Sequence, residues 1–234
     1  MTAQNGESGD TTDTAEGPVV RVWDLPVRLF HWALVIAVVT SVATGLVGGL
    51  WQMDVHMISG YVILGLVIFR VVWGLIGGRH ARFAAFLKGP VTVIRYAADF
   101  ARRREAHTPG HNPIGGWSVI ALLTIMALQA GTGLFANDDI FLEGPLFNLV
   151  SKETSDWLTG WHHRMVTAIY ILVGLHVAAI AVHWLRGDNL IKPMVTGTKT
   201  NADPAADDAT PRPVRFLIVA AVAVGAVFGI LALG

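Results

Sequence analysis

Four histidines lie in long apolar stretches of this chain, at His31, His56, His162 and His176. His162 and His176 are fourteen residues apart in one stretch. That interval is close to four helical turns, so both imidazoles face the same side of a helix, roughly 21 Å apart along its axis. A polar side chain deep in a bilayer is costly and is usually functional. Imidazoles at two depths are suited to coordinate two haem irons.

The direction of each helix predicts how these histidines pair. If the N-terminus is cytoplasmic, the first span places His31 near the inner side and the second places His56 near the outer side. The fourth span then runs inward and places His162 at the outer level and His176 at the inner level. Each level receives two imidazoles from different helices, which is the arrangement that holds a flat macrocycle from both faces.

The same fourteen-residue interval relates two further residues to these histidines. Gly45 follows His31 at this interval, and Arg70 follows His56. We expect Gly45, and Gly60 one turn from His56, to make room for a porphyrin. We expect the Arg70 guanidinium to pair with haem propionates at the inner level.

Each of these residues also has a simpler interpretation. Gly45 and Gly60, together with the glycines of the third span, are compatible with close helix packing. Those third-span glycines are Gly115, Gly116, Gly131 and Gly133. Arg70 is equally compatible with a side chain that extends to the inner headgroups. His163 is the alternative outer ligand to His162, and Arg164 is a candidate partner for a propionate or a quinone oxygen.

The composition indicates an integral membrane protein. The 234 residues have 53% hydrophobic content and a mean hydropathy of +0.53. Apolar runs long enough to cross a bilayer predict spans near 29–50, 55–77, 115–136, 159–185 and 214–234. No cleavage site follows a short apolar core, so we expect no signal peptide. The chain has no cysteine, which excludes iron–sulfur clusters, covalent c-type haem and disulfides within it.

The charge distribution predicts the orientation in the bacterial inner membrane. Fourteen lysines and arginines lie in segments on the same side as the N-terminus, whereas Lys152 is alone among six outer carboxylates. This excess of positive charge predicts a cytoplasmic N-terminus and, with five spans, an outer C-terminus.

The chain divides into four predicted regions. Residues 1–18 are expected to be a disordered tail, 19–197 a four-helix domain, 198–213 a linker, and 214–234 a fifth transmembrane helix. A short helix from Pro90 is expected either on the inner leaflet or in solvent. The outer loop before the fourth span is either a lid or a docking surface for a positively charged partner. We expect His80, His107 and His111 to be solvated or interfacial.

Several motifs in sequence order carry a resemblance to a known family. They are WDLPVRLFHW, TGL at 44–46, FRVVWGLIGGRHARF, HNPIGGW, LH at 175–176 and NLIKPMVTGTK. Over about residues 21–197 the chain resembles the prokaryotic cytochrome b561 and nickel–iron-hydrogenase cytochrome b group. The resemblance implies an all-α membrane bundle of four helices that holds two b-type haems. It also implies that His31, His56, His162 and His176 are the ligands. The fifth span, His163 and the long outer loop are departures from the family pattern.

The sequence therefore favours a dihaem b-type cytochrome that transfers electrons between quinone and a partner protein across the bilayer. That partner is expected to be a periplasmic cytochrome c or a hydrogenase-type subunit, and no catalytic residue is assigned. Two other hypotheses remain, a histidine-lined transporter for metal ions or protons and a haem-containing membrane anchor of a larger redox complex.

Overall fold

The computed structural model describes residues 18–104, 108, 110–200, 203–208 and 210–234. The tail expected to be disordered thus lies outside the described residues except for Pro18, and so does His107. The described helices are α1 (Leu25–Val47), α2 (Leu50–Ile76), α3 (Phe83–Phe86), α4 (Pro90–Ala101), α5 (Pro113–Gly133), α6 (Lys152–Leu185), α7 (Ile191–Thr196) and α8 (Pro213–Leu231). Two short strands, β1 (Val20–Arg21) and β2 (Thr198–Lys199), and single 3-10 turns at Phe147–Leu149 and Pro204–Ala206 complete the described part.

Five of these helices, α1, α2, α5, α6 and α8, are long and apolar enough to cross a membrane. The prediction of an all-α membrane protein with a four-helix bundle and a fifth helix is confirmed. The helices begin earlier than hydropathy predicts, and three of them, α1, α5 and α6, begin at a side-chain cap. Asp24 accepts a hydrogen bond from the Val27 amide at the start of α1, and Ser151 accepts one from the Thr154 amide at the start of α6.

Helices that are neighbours in the sequence pack together, α1 against α2 and α5 against α6. Helix α2 also contacts α5 and α8. The fully buried Trp73 stacks on Phe69 in α2, and both rings meet Phe216 of α8 edge to face. The fifth helix is therefore attached to the outside of the bundle through α2. Most other apolar side chains on the long helices are exposed, as lipid contact requires.

The segment between α7 and α8 is bonded to the start of the chain. β1 and β2 pair antiparallel, and the Arg21 amide donates to Asp207. Asp208 accepts from the Arg79 amide and from the Arg212 guanidinium, so this carboxylate joins its own segment to the residues that follow α2. Burial opposes ionisation of Asp208, but these hydrogen bonds outweigh it and hold its pKa below the usual value. We call the described residues between 198 and 212 (198–200, 203–208 and 210–212) together with β1 the inner strap.

Helix α4 begins at Pro90, as predicted, and lies across the end of the bundle that carries β1, which we call the inner end. Its Phe100 ring contacts His183 and lies under the Arg186 guanidinium at the end of α6. Val91 and Ile94 remain exposed on its other side. An anchored helix with an exposed apolar edge favours the inner-leaflet position over a solvated one.

Candidate functional site

The structure brings the four predicted histidines together as two pairs. The His56 and His162 ring centres are 6.0 Å apart, and those of His31 and His176 are 6.5 Å apart. Each pair joins α6 to a different helix, α2 in the first case and α1 in the second. The pairing by depth is thus the one that the sequence predicts.

These separations fit one metal ion between two imidazoles. With histidine–metal bonds of about 2.0–2.1 Å and a ring radius of about 1.1 Å, two trans imidazole centres would be about 6.3 Å apart. Both observed distances lie within a few tenths of an ångström of that value. Among the described residues no three histidine, aspartate or glutamate side chains converge as a metal site, so the histidines meet in twos.

The two outer imidazoles share one hydrogen-bonding arrangement. Nδ1 of His56 lies 2.8 Å from the Ser41 carbonyl of α1, and Nδ1 of His162 lies 3.0 Å from the Gln129 carbonyl of α5. A backbone carbonyl only accepts, so Nδ1 is the donor in both rings. The protonated Nδ1 leaves Nε2 of each ring with its lone pair for a metal.

A glycine one turn after each accepting carbonyl allows this approach. A Cβ on Gly45 would be 3.0 Å from the His56 ring, and a Cβ on Gly133 would be 3.0 Å from the His162 ring. Both glycines lie in a Thr-Gly-Leu triplet, at 44–46 and 132–134, whose threonine hydroxyl bonds back to its own helix. We call each accepting carbonyl with its glycine a glycine cradle. The repetition of the triplet is a sequence signal for the two glycine cradles, and sequence reasoning missed this repetition.

A cavity of about 420 Å³ opens beside the outer pair. Its volume is in the range of ordinary cofactor pockets. The predicted residues Gly45 and Gly60 line it together with His56 and His162. Gly60 has no atom near the position of a Cβ, so it leaves open space, whereas Gly45 makes room for the His56 ring.

Two polar groups at the level of the inner pair are buried without a hydrogen-bond partner. Nδ1 of His31 and one terminal nitrogen of Arg70 are buried and make no hydrogen bond. Arg70 is only 2% exposed, and its guanidinium lies 5.0 Å from the Phe83 ring centre. A buried guanidinium does not reach the headgroups, so the alternative of an extended, interfacial Arg70 is wrong. The Asp24 carboxylate acts electrostatically on this buried cation, and the unbonded nitrogen remains available to a second anionic group.

His111 is a site residue that sequence reasoning missed. Its ring lies 4.7 Å from Trp23 and 4.6 Å from Phe86, and its Nδ1 is buried without a partner. Burial, together with the nearby Arg70 charge, lowers the pKa of His111 to about 3, so the ring is neutral. The expectation of a solvated His111 is wrong because the loop before α5 folds inward. His80 is also bonded, to the Ala206 carbonyl of the inner strap.

Other candidates lie apart from the histidine pairs. His163 lines the outer cavity, but it is His162 whose ring faces His56. Arg164 is exposed over the Trp161 ring and does not line that cavity. Gly116 leaves room for the packing of Phe86, and Gly115 leaves room for the capping side chain of Asn112. Gly131 faces open space.

Comparison with known proteins gives one family. Residues 22–197 match the family model described as prokaryotic cytochrome b561. Curated relatives named probable Ni/Fe-hydrogenase B-type cytochrome subunit include one from Cupriavidus necator, 24% identical over 83% of this chain and 96% of its own. One from Azotobacter vinelandii is 25% identical over 86% and 97%. The Ni/Fe-hydrogenase 1 subunit of Escherichia coli K12 is 24% identical over 77% and 90%. No solved structure matches the chain.

Proposed function

The chain belongs to the prokaryotic cytochrome b561 family, and from that membership we propose that it is a two-haem membrane cytochrome linking the quinone pool to a redox partner protein. Family membership makes it a multi-pass membrane cytochrome of b type, for which haem b and electron transport follow. The number of haems, the quinone and the partner belong to the proposal.

The observation that carries the proposal is the spacing of the histidine pairs. His56 and His162 would hold an outer haem through their Nε2 atoms, and His31 and His176 would hold an inner haem. When bound, the haems supply one-electron redox chemistry. The residues of this chain fix the ligand orientation, exclude water and set the local charge.

The surroundings of the two pairs favour different reduction potentials. Carbonyl hydrogen bonds to the outer imidazoles increase their basicity and favour oxidised iron. The buried Arg70 charge, which its position on α2 places at the level of the inner pair, favours the reduced iron, which carries one positive charge less. Electron transfer from the outer to the inner level is therefore the downhill direction.

The outer and inner ends would serve different reactants. With the inner level at the higher potential, quinone reduction belongs at the inner side and electron donation by a protein at the outer side. Because the relatives are named hydrogenase cytochrome subunits, a hydrogenase-type subunit is the proposed donor, with a periplasmic cytochrome c as the other candidate. The excess of lysine and arginine on the N-terminal side supports a cytoplasmic N-terminus in the bacterial inner membrane.

Spectroscopy of the purified protein tests the proposal. The difference between the dithionite-reduced and oxidised spectra should show a sharp b-type alpha band, and haem extraction should give two haems per chain. A quinol analogue should then reduce this haem in liposomes, or quinone should reoxidise it. A preparation without the alpha band would overturn the proposal that these histidines coordinate haem. Haem that exchanges no electrons with quinones would instead indicate a haem-containing anchor.

A further inference from the structure

The outer loop between α5 and α6 is a small folded hairpin. The Asp138 amide donates to the Leu142 carbonyl, the Gly144 amide to Ala136, and the Leu146 amide to Leu134. A carboxylate oxygen of Asp138 accepts hydrogen bonds from three successive amides, those of Ile140, Phe141 and Leu142. We call residues 138–142 the hairpin tip. These local hydrogen bonds hold its backbone, so the tip has a defined conformation.

The hairpin tip presents two large apolar side chains to the outside. Phe141 is 81% exposed and Ile140 is 73% exposed. Both are held outward while the following residues Leu142, Glu143 and Gly144 line the outer cavity beside His56 and His162. The tip and the outer histidine pair thus adjoin the same cavity. A protein bound to the tip would lie next to the outer histidine pair.

The height of the tip can be read from α6. Ile169 is midway between His162 and His176, so Lys152 at the start of the helix is about 25 Å from that level. The hydrocarbon core extends only about 15 Å on each side of its centre. Trp157 and Trp161, about 18 Å and 12 Å from that level, are exposed on either side of the hydrocarbon edge, where interfacial tryptophans occur. Lys152 therefore lies outside the hydrocarbon.

A salt bridge holds the hairpin tip at the height of Lys152. Lys152 pairs with Asp139 of the tip and with Asp156 of its own helix. The Asn137 side-chain amide donates to the Ser155 hydroxyl and the Asp156 carboxylate, and its backbone amide donates to the Thr159 hydroxyl. The tip is consequently held beyond the tryptophan level, where Ile140 and Phe141 face the aqueous phase instead of acyl chains. Ordered apolar side chains in that position indicate a protein contact.

The charge around the tip specifies the partner's chemistry. The exposed carboxylates of Asp138, Asp139 and Glu143 lie in or next to it, and the outer loops contain only one lysine, which pairs with Asp139 and Asp156. The outer carboxylates are Asp54, Asp138, Asp139, Glu143, Glu153 and Asp156. An apolar centre with an acidic rim is complementary to an apolar recess surrounded by lysines and arginines.

We propose that the hairpin tip, with Ile140 and Phe141 at its centre, is the docking surface for the soluble redox protein that exchanges electrons with the outer haem. The partner is a metal-containing protein with a basic rim around an apolar recess. This inference rests on the proposed function, because it assigns a surface to the partner named there.

Photocrosslinking in the native host tests the contact. Phe141 is replaced in the full-length protein by the photoreactive p-benzoylphenylalanine, and Leu149, an exposed residue of the same loop outside the tip, is replaced in a control. After irradiation of cells, mass spectrometry identifies the adduct. A crosslink from position 141, absent from position 149, to a protein with a redox metal centre supports the proposal. An adduct with lipid, with a second copy of this chain or with no molecule overturns it.

A second measurement separates this proposal from the function on which it rests. In the double variant Ile140→Ser/Phe141→Ser, recovery of the identified partner with the cytochrome should fall at least about tenfold, whereas Leu149→Ser should retain it. Haem content and quinol-driven reduction should equal those of the unaltered protein. Unchanged partner recovery in the double variant overturns the docking surface alone. Loss of haem or of quinol reactivity in the unaltered protein would contradict the proposed function instead.

Discussion

The hydrogen bonds from two outer imidazoles to backbone carbonyls have consequences that single substitutions can test. A ring whose Nδ1 is committed to a carbonyl presents Nε2 in a fixed direction, which lowers the entropic cost of coordination. The inner rings have no such partner in the described structure, since Nδ1 of His31 is unbonded. Ligand, cradle and charge can therefore be altered separately.

Removal of one ligand from each level should remove one haem. His56→Ala should abolish the outer haem and His176→Ala the inner one, each reducing extracted haem to about half or preventing assembly. His163→Ala is the matched control, because its ring lines the cavity but does not face His56. Full haem content in His56→Ala or His176→Ala, or loss of a haem in His163→Ala, would contradict the assignment.

The glycine cradles make a prediction about the same outer haem. Gly133→Ala places a methyl group 3.0 Å from the His162 ring, so the ring must shift or lose its bond to the Gln129 carbonyl. We expect lower outer haem occupancy or a shifted alpha band, and Gly45→Ala should act alike on His56. Gly131→Ala adds a methyl group in open space on the same helix. If Gly131→Ala and Gly133→Ala gave identical spectra, the cradle would have no role in ligand orientation.

The charge of Arg70 should be visible in a redox titration. Arg70→Gln removes a buried cation, so the inner haem should become harder to reduce, and its midpoint potential should fall by about 60 mV for each tenfold loss of electron affinity. Arg164→Gln removes an exposed cation on the outer half of α6 and should leave that potential unchanged. An unaltered inner potential in Arg70→Gln would contradict an electrostatic role of Arg70 at the inner haem.

At the scale of elements, much of the bundle follows from the sequence. A fourteen-residue interval in an apolar run fixes two depths on one helix, and alternating helix directions then determine which histidines meet. Bonds between helices could not be predicted in this way, because the positions of Ser41 and Gln129 opposite the rings depend on packing. The inward fold of His111 and the inner strap were missed for the same reason, since both join residues that are distant in the chain.

The hairpin tip should loosen in acid. Hydrogen bonds from the Leu142, Ile140 and Phe141 amides hold the pKa of Asp138 below its ordinary value. Stabilisation by this carboxylate is complete above the ordinary aspartate pKa and is lost as the pH falls through the lower folded value. Exchange protection of these three amides should therefore decrease only under strongly acidic conditions, and Asp138→Ala should abolish it at any pH. Asp138→Asn, which keeps an acceptor oxygen, should retain part of it. Equal protection in Asp138→Ala would exclude the role of this side chain.

For the whole molecule, the difference between the two levels predicts a direction of electron flow. A redox titration should resolve two haems, and the one lost in His176→Ala should have the higher potential, because Arg70 favours reduction and the outer carbonyl bonds oppose it. In liposomes, an electron donor added on the outer side should reduce both haems. The reverse order of potentials would contradict inward transfer while leaving the ligand assignment intact.

The pairing of β1 with β2 also bears on biogenesis. A ribosome must make about two hundred residues before β2 exists to pair with β1, so this contact forms only late in synthesis. All four histidines of the two pairs precede β2 in the chain. Translation order thus leaves an interval in which every ligand has been made and the inner strap has not yet formed.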